Sequence, residues 1–132
     1  KSEDILDVFQ SRYLNVKVPI SITNMRFIQH DDYVEAFVTF HRGRVKKTVN
    51  TTGNGSLDAV SNALKSFTGD AYKLRDYTEH SMQEKGSGSK AVAYIGLKGA
   101  NGDMYWGAGT DTDIIHAGVN ALLSAFYNMI KN

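Results

Sequence analysis

The chain has 132 residues, 42% hydrophobic and 22% charged, the size and balance of one ordinary globular domain. Fifteen basic against fourteen acidic residues leave a net charge of +1, which argues against a nucleic-acid-binding face, and the absence of cysteine excludes disulfides, thiolate metal sites and cysteine nucleophiles. The absence of cysteine suits a cytoplasmic setting, no apolar run approaches the ~20 residues needed to span a bilayer, and Lys1-Ser2-Glu3-Asp4 is no signal peptide, so no membrane partner is expected.

Asp4 to Leu14 carries Ile5, Val8, Phe9 and Tyr13 at helical spacing and predicts a short lead-in helix with Asp4 as candidate N-cap. Starting without methionine in polar, helix-favouring sequence, residues 1–17 read as a linker from a longer polypeptide. Pro19 opens an extended segment with Ile20, Ile22, Met25 and Phe27, closed by the His30-Asp31-Asp32 turn. Val34, Ala36, Val38 and Phe40 then alternate with Glu35, Phe37, Thr39 and His41, a strand with one buried face. Arg42-Gly43-Arg44 is a turn, Val45, Lys47 and Val49 mark a third strand, and a helix runs from about Ser56 to Phe67. The plan then repeats. Tyr72 to Met82 is a strand, Gln83 to Ser89 a glycine-rich turn, and Ala91 to Leu97 an apolar strand. Gly99-Ala100-Asn101-Gly102 has the residues of a hairpin turn with positive φ, Met104 to Ala108 forms a sixth strand, and Asp111 to about Met129 is the closing helix.

Two stretches carry the repeat explicitly. Gly53-Asn54-Gly55-Ser56 precedes Leu57, Val60, Leu64 and Phe67; Gly107-Ala108-Gly109-Thr110 precedes Ile115, Val119, Leu122, Phe126 and Met129. Asn62-Ala63-Leu64 and Asn120-Ala121-Leu122 strengthen the match. The predicted fold class is α+β, two βββα units (18–69 and 70–132 of a single domain, 18–132) about a pseudo-twofold axis, with antiparallel strands and helices packed on the sheets. A cleft between such halves is a natural small-molecule site. The closing helix also bears a small-residue row, Ile114, Ala117, Gly118, Ala121 and Ala125, suited either to close packing on its own sheet or to a second subunit.

His30, His41, His80 and His116 form no metal-binding pair, and no serine sits in a nucleophile elbow. Asp111 and Asp113 suit capping of the closing helix. Each glycine loop either exposes backbone N–H groups to a carboxylate or phosphate at a helix N-terminus, or simply permits positive φ. A donor-rich loop and an acceptor-rich one together suit an α-amino acid zwitterion.

At Gly53-Asn54-Gly55-Ser56-Leu57-Asp58-Ala59, Leu74 to Met82, Ala91-Val92-Ala93-Tyr94-Ile95 and Trp106 to Ile115 the chain resembles the C-terminal regulatory domain of 2-isopropylmalate synthase. The resemblance runs over roughly the whole chain, with Ser56 standing where that family commonly has proline. It implies a leucine-sensing, dimerising domain without cofactor, whose partner is a metal-dependent catalytic barrel of the same polypeptide that condenses acetyl-CoA with 2-oxoisovalerate. The leucine-binding residues it implies are Gly53, Asn54, Gly55, Leu57, Leu74, Tyr77, Ser81, Ala91, Ala93, Thr110 and Thr112. Leu74 and Tyr77 share a strand face only if a bulge intervenes. The alternatives are the isoleucine-sensing domain of citramalate synthase and a dimerisation module without ligand.

Overall fold

The computed structural model describes residues 19–82 and 90–131; the lead-in helix and the 83–89 turn lie outside them. The order is β1 (Ile20–Gln29), β2 (Val34–Arg42), β3 (Val45–Gly53), α1 (Ser56–Thr68), β4 (Tyr72–Met82), β5 (Lys90–Gly99), β6 (Met104–Asp111) and α2 (Ile114–Ile130). The expected α+β plan of two βββα units is present, as two antiparallel sheets ordered β1-β2-β3 and β4-β5-β6. The chain divides into two compact units between Thr68 and Gly69.

In the first unit the alternation of β2 works as the pattern demands. Val34, Ala36, Val38 and Phe40 are buried under α1, where they meet Ala59, Val60, Ala63 and Leu64, and Phe40 stacks on Phe67 at 4.7 Å. In the second, Ala91, Ala93, Ile95 and Leu97 of β5 are buried under α2 with Ala117, Ala121, Leu122, Ala125 and Phe126. Burying one apolar face of a sheet under a helix supplies most of the driving force for each unit.

The register aligns the units residue by residue. Ala36 faces Thr51 and Ala93 faces Gly109; Val38 faces Val49 and Ile95 faces Gly107. The helices agree with it: the Ala59 N–H donates to the Gly55 carbonyl and that of Ala117 to the Asp113 carbonyl, both at 2.9 Å. Asn62 Nδ2 donates to the Thr52 carbonyl at 2.8 Å and Asn120 Nδ2 to the Thr110 carbonyl at 3.2 Å. The β3–β6 and helix pairs share one interval of 58 residues and the β2–β5 pairs one of 57, whereas the two glycine motifs lie 54 apart. The motif match is therefore shifted by one helical turn, and the Asn-Ala-Leu match is the structural one.

The two glycine motifs accordingly do different work. Gly53 ends β3 and Gly55 lies in the bend before α1, but Gly107 and Gly109 lie within β6 and Asp111 ends it. The expectation that Gly107-Ala108-Gly109-Thr110 is a loop, and that the closing helix starts at Asp111, is corrected here: Asp113 is the N-cap, its Oδ2 accepting the His116 N–H at 3.0 Å. A Cβ on Gly107 would lie 2.2 Å from the Ala125 nitrogen, and one on Gly109 would lie 2.5 Å from that of Ala121. The small-residue row of α2 thus packs against glycines of its own sheet.

Candidate functional site

Both sheets carry a bulge in their first strand. In β4 it falls between Leu74, opposite Leu97, and Asp76, opposite Gly96, so Arg75 is the extra residue. That bulge is the condition for Leu74 and Tyr77 to share a face: Tyr77 then lies opposite Ile95, Glu79 opposite Ala93, and Ser81 opposite Ala91. Residues directly opposite one another project from the same face. Leu74, Tyr77, Glu79 and Ser81 therefore lie on the face that α2 covers.

Helix α2 packs on β5 and β6. The polar row on β4 is left open, with Tyr77 41% exposed and Glu79 and Ser81 exposed beside the buried Ala91 and Ala93. The Tyr77 hydroxyl donates to Glu79 Oε1. Partial burial, reinforced by that carboxylate, pushes the Tyr77 phenol up to about 12. Glu79 is not among the residues the resemblance implies; the Tyr77, Glu79, Ser81 alternation places its carboxylate between two that are.

Asp111 faces Ala91 at the end of the same face, its Oδ1 accepting the Asp113 N–H at 2.9 Å and the Thr112 hydroxyl at 3.4 Å. Thr112 lies in the turn between β6 and α2. Thr110 faces Val92, so its side chain stands on the opposite face from Ala91 and Ala93. Asp113 is bound to His116 Nδ1 at 2.5 Å, and that hydrogen bond holds its carboxyl below the usual aspartate range.

Gly53, Asn54, Gly55 and Leu57 gather at the start of α1. The Asn54 N–H is already taken by Asp58 Oδ2 at 2.9 Å, while Ser56 and Leu57 bring N–H groups that no turn of α1 can satisfy. Gly55 does not adopt positive φ, and a Cβ built on it meets nothing within 4 Å. Positive φ is therefore not what glycine provides there. Gly53 is the restricted position, since its Cβ would lie 2.4 Å from the Ala59 nitrogen. The structure thus brings the candidate residues together in two groups, one in each unit.

Among the described residues no three His, Asp or Glu side chains come together as a metal site, and no helix is long and apolar enough to cross a membrane. The family of the LeuA allosteric (dimerisation) domain matches residues 1–130. The chain is 40% identical over 130 residues to 2-isopropylmalate synthase of Desulfitobacterium hafniense (strain Y51), covering 98% of this chain and 23% of that protein. It is 31% identical over 134 residues to the enzyme of that name from Acetoanaerobium sticklandii, again covering 98% and 23%. With the 2-isopropylmalate synthase of Rhizobium johnstonii it shares 34% identity over 134 residues, covering 94% and 22%. The chain spans less than a quarter of the length of these curated relatives.

Proposed function

The chain belongs to the LeuA allosteric (dimerisation) domain family, and on that premise we propose that it is the regulatory domain of a 2-isopropylmalate synthase. In this reading it binds leucine as the end-product signal of feedback inhibition and joins two subunits, with residues 18–132 as the domain and 1–17 as its linker. Acetyl-CoA condensation with 2-oxoisovalerate then belongs to a catalytic barrel elsewhere in the polypeptide.

The observation that carries the reading is the open polar row of β4. Glu79 and the Tyr77 hydroxyl offer an acceptor and an adaptable partner to an ammonium group, and the half-buried Leu74 on the same face offers an apolar contact to an aliphatic side chain, while Ala91 and Ala93 are buried beneath α2. Within the first unit, taken by itself, the N–H groups opening α1 are a separate candidate for a carboxylate. Thr110 turns its side chain to the other face and its carbonyl accepts from Asn120, so it stands outside this row, and Thr112 comes near it only through the turn at Asp111.

Titration calorimetry with leucine, isoleucine and an unrelated amino acid tests this directly. Leucine is expected to bind, and Glu79→Gln to weaken it by about tenfold or more, the worth of a charge-assisted hydrogen bond. Gly55→Asp fits the open space at that position, so it should leave the melting temperature nearly unchanged while repelling a carboxylate from α1. Normal leucine binding by Gly55→Asp would remove α1 from the site. Tighter binding of isoleucine than leucine would instead mark the sensing domain of a citramalate synthase. Light scattering should give a dimer mass, and a monomer at tens of micromolar (on the order of ordinary working concentrations) would count against the joining role.

A further inference from the structure

The second unit holds a cavity of about 300 Å³ where β4 starts and β5 ends, the opposite end of the sheet from Ser81, Ala91 and Asp111. Lys73, Arg75 and Lys98 line it, with Tyr72 and the β5–β6 turn, and no acidic residue is among its lining. Lys73 and Lys98 are direct cross-strand partners, with Cα atoms about 5 Å apart, a like-charge arrangement that weakens a sheet. Arg75 is the extra residue of the bulge. None of the three cations has an ion-pair partner among the described residues.

Cations on an edge strand protect it from pairing with other chains, which would account for Lys73 and Arg75. It does not account for Lys98, which stands on the central strand β5. The first unit is an internal control. At the positions of Lys73, Arg75 and Lys98 its register places Ser21, Thr23 and His41. The fold therefore has no need of three cations here, and an anion between them would relieve their mutual repulsion.

We propose that this cavity binds a small molecule through a diphosphate group. Three unpaired cations match the charge of a diphosphate, Arg75 offers a planar fork to its oxygens, and the volume lies at the small end of ligand clefts. None of the lining residues is among those assigned to leucine, Leu74 lying between Lys73 and Arg75 on the other face of the sheet, and the proposal does not depend on that reading.

The test is calorimetric titration of the 132-residue chain at low salt with pyrophosphate, ADP and citrate, with backbone amide NMR shifts to place each ligand. Pyrophosphate is expected to saturate below about 1 mM, with shifts centred on Lys73 to Arg75 and Lys98 to Gly102, and to weaken steeply with salt. The double substitution Lys73→Ser with Lys98→His installs the first unit's residues. At pH about 8, where histidine is neutral, it should weaken binding tenfold or more and leave the melting temperature equal or higher. Should it melt lower, Arg75→Gln alone must still weaken pyrophosphate severalfold. Stronger binding of ADP than pyrophosphate would identify a nucleotide as the source of the diphosphate. No saturation, shifts elsewhere, citrate binding equal to pyrophosphate, or variants that bind unchanged would each overturn the proposal.

Discussion

On the sheet face away from its helix, the first unit is finished with polar contacts. Thr39 and Thr48 share a hydrogen bond of 2.7 Å, Glu35 accepts from Asn50 at 2.9 Å and meets His30 Nε2 at 3.0 Å, and Arg26 lies 4.3 Å from the Phe37 ring centre. The second unit puts apolar groups at the same register positions. Gly96 and Trp106 stand where Thr39 and Thr48 stand, and Val92 and Ala108 where Glu35 and Asn50 do. The Trp106 ring covers Gly96 so closely that a Cβ there would lie 2.7 Å from it, yet Trp106 is 53% exposed and Tyr94 43%. One backbone plan therefore tolerates opposite surfaces. Pairing and core burial set the strands, and the outer face is free to be specialised.

The sharpest way to break the comparison is Gly107→Val. The equivalent residue of the first unit is already Val49, but α2 lies against the Gly107 backbone. A side chain there should cost about 5 kcal/mol or more and unfold the second unit. Denaturant unfolding that matches the parent would refute the close approach. Next come Leu64→Ala and Leu122→Ala, fully buried residues at equivalent helix positions. Each should cost about 3 kcal/mol, and strongly unequal losses would undo the proposed alignment.

Smaller effects probe the outer faces. Trp106→Ala uncovers Gly96 and should cost about 1 kcal/mol at most, as a cross-strand pair does. Glu35 offers a pH test, since its hydrogen bonds with His30 and Asn50 hold its carboxyl below the usual glutamate range. A lowered native value means stabilisation present above the ordinary range and lost as pH falls through the native one. The parent should therefore outlast Glu35→Gln near neutrality, and that advantage should vanish in acid. A gap that widens in acid would reverse the sign. The smallest effect is expected at Gly55→Ala, neutral or stabilising by about 0.5 kcal/mol, because the position is open and not at positive φ.

Periodicity made most of the fold legible. The alternation of Val34 to Phe40 specified a half-buried strand, and the helical spacing of Val60, Leu64, Leu122 and Phe126 specified the helices that cover the sheets. The turn at Gly99 to Gly102 was equally plain, and Gly102 does adopt a φ of 91°. What local pattern could not carry was the meaning of the glycines, because the same residue serves a bend, a positive φ or a close helix approach. Only packing decides which: Gly107 and Gly109 are strand residues flattened against α2, Gly53 admits the first turn of α1, and Gly55 has open space. The β4 bulge was likewise stated only as a condition, since one inserted residue leaves no fixed signature in a strand. Once it is in place, the sheet register carries Glu79 onto the same face as Leu74, Tyr77 and Ser81. Neighbours along a strand are written in the sequence, but neighbours across a sheet exist only after the strands have paired.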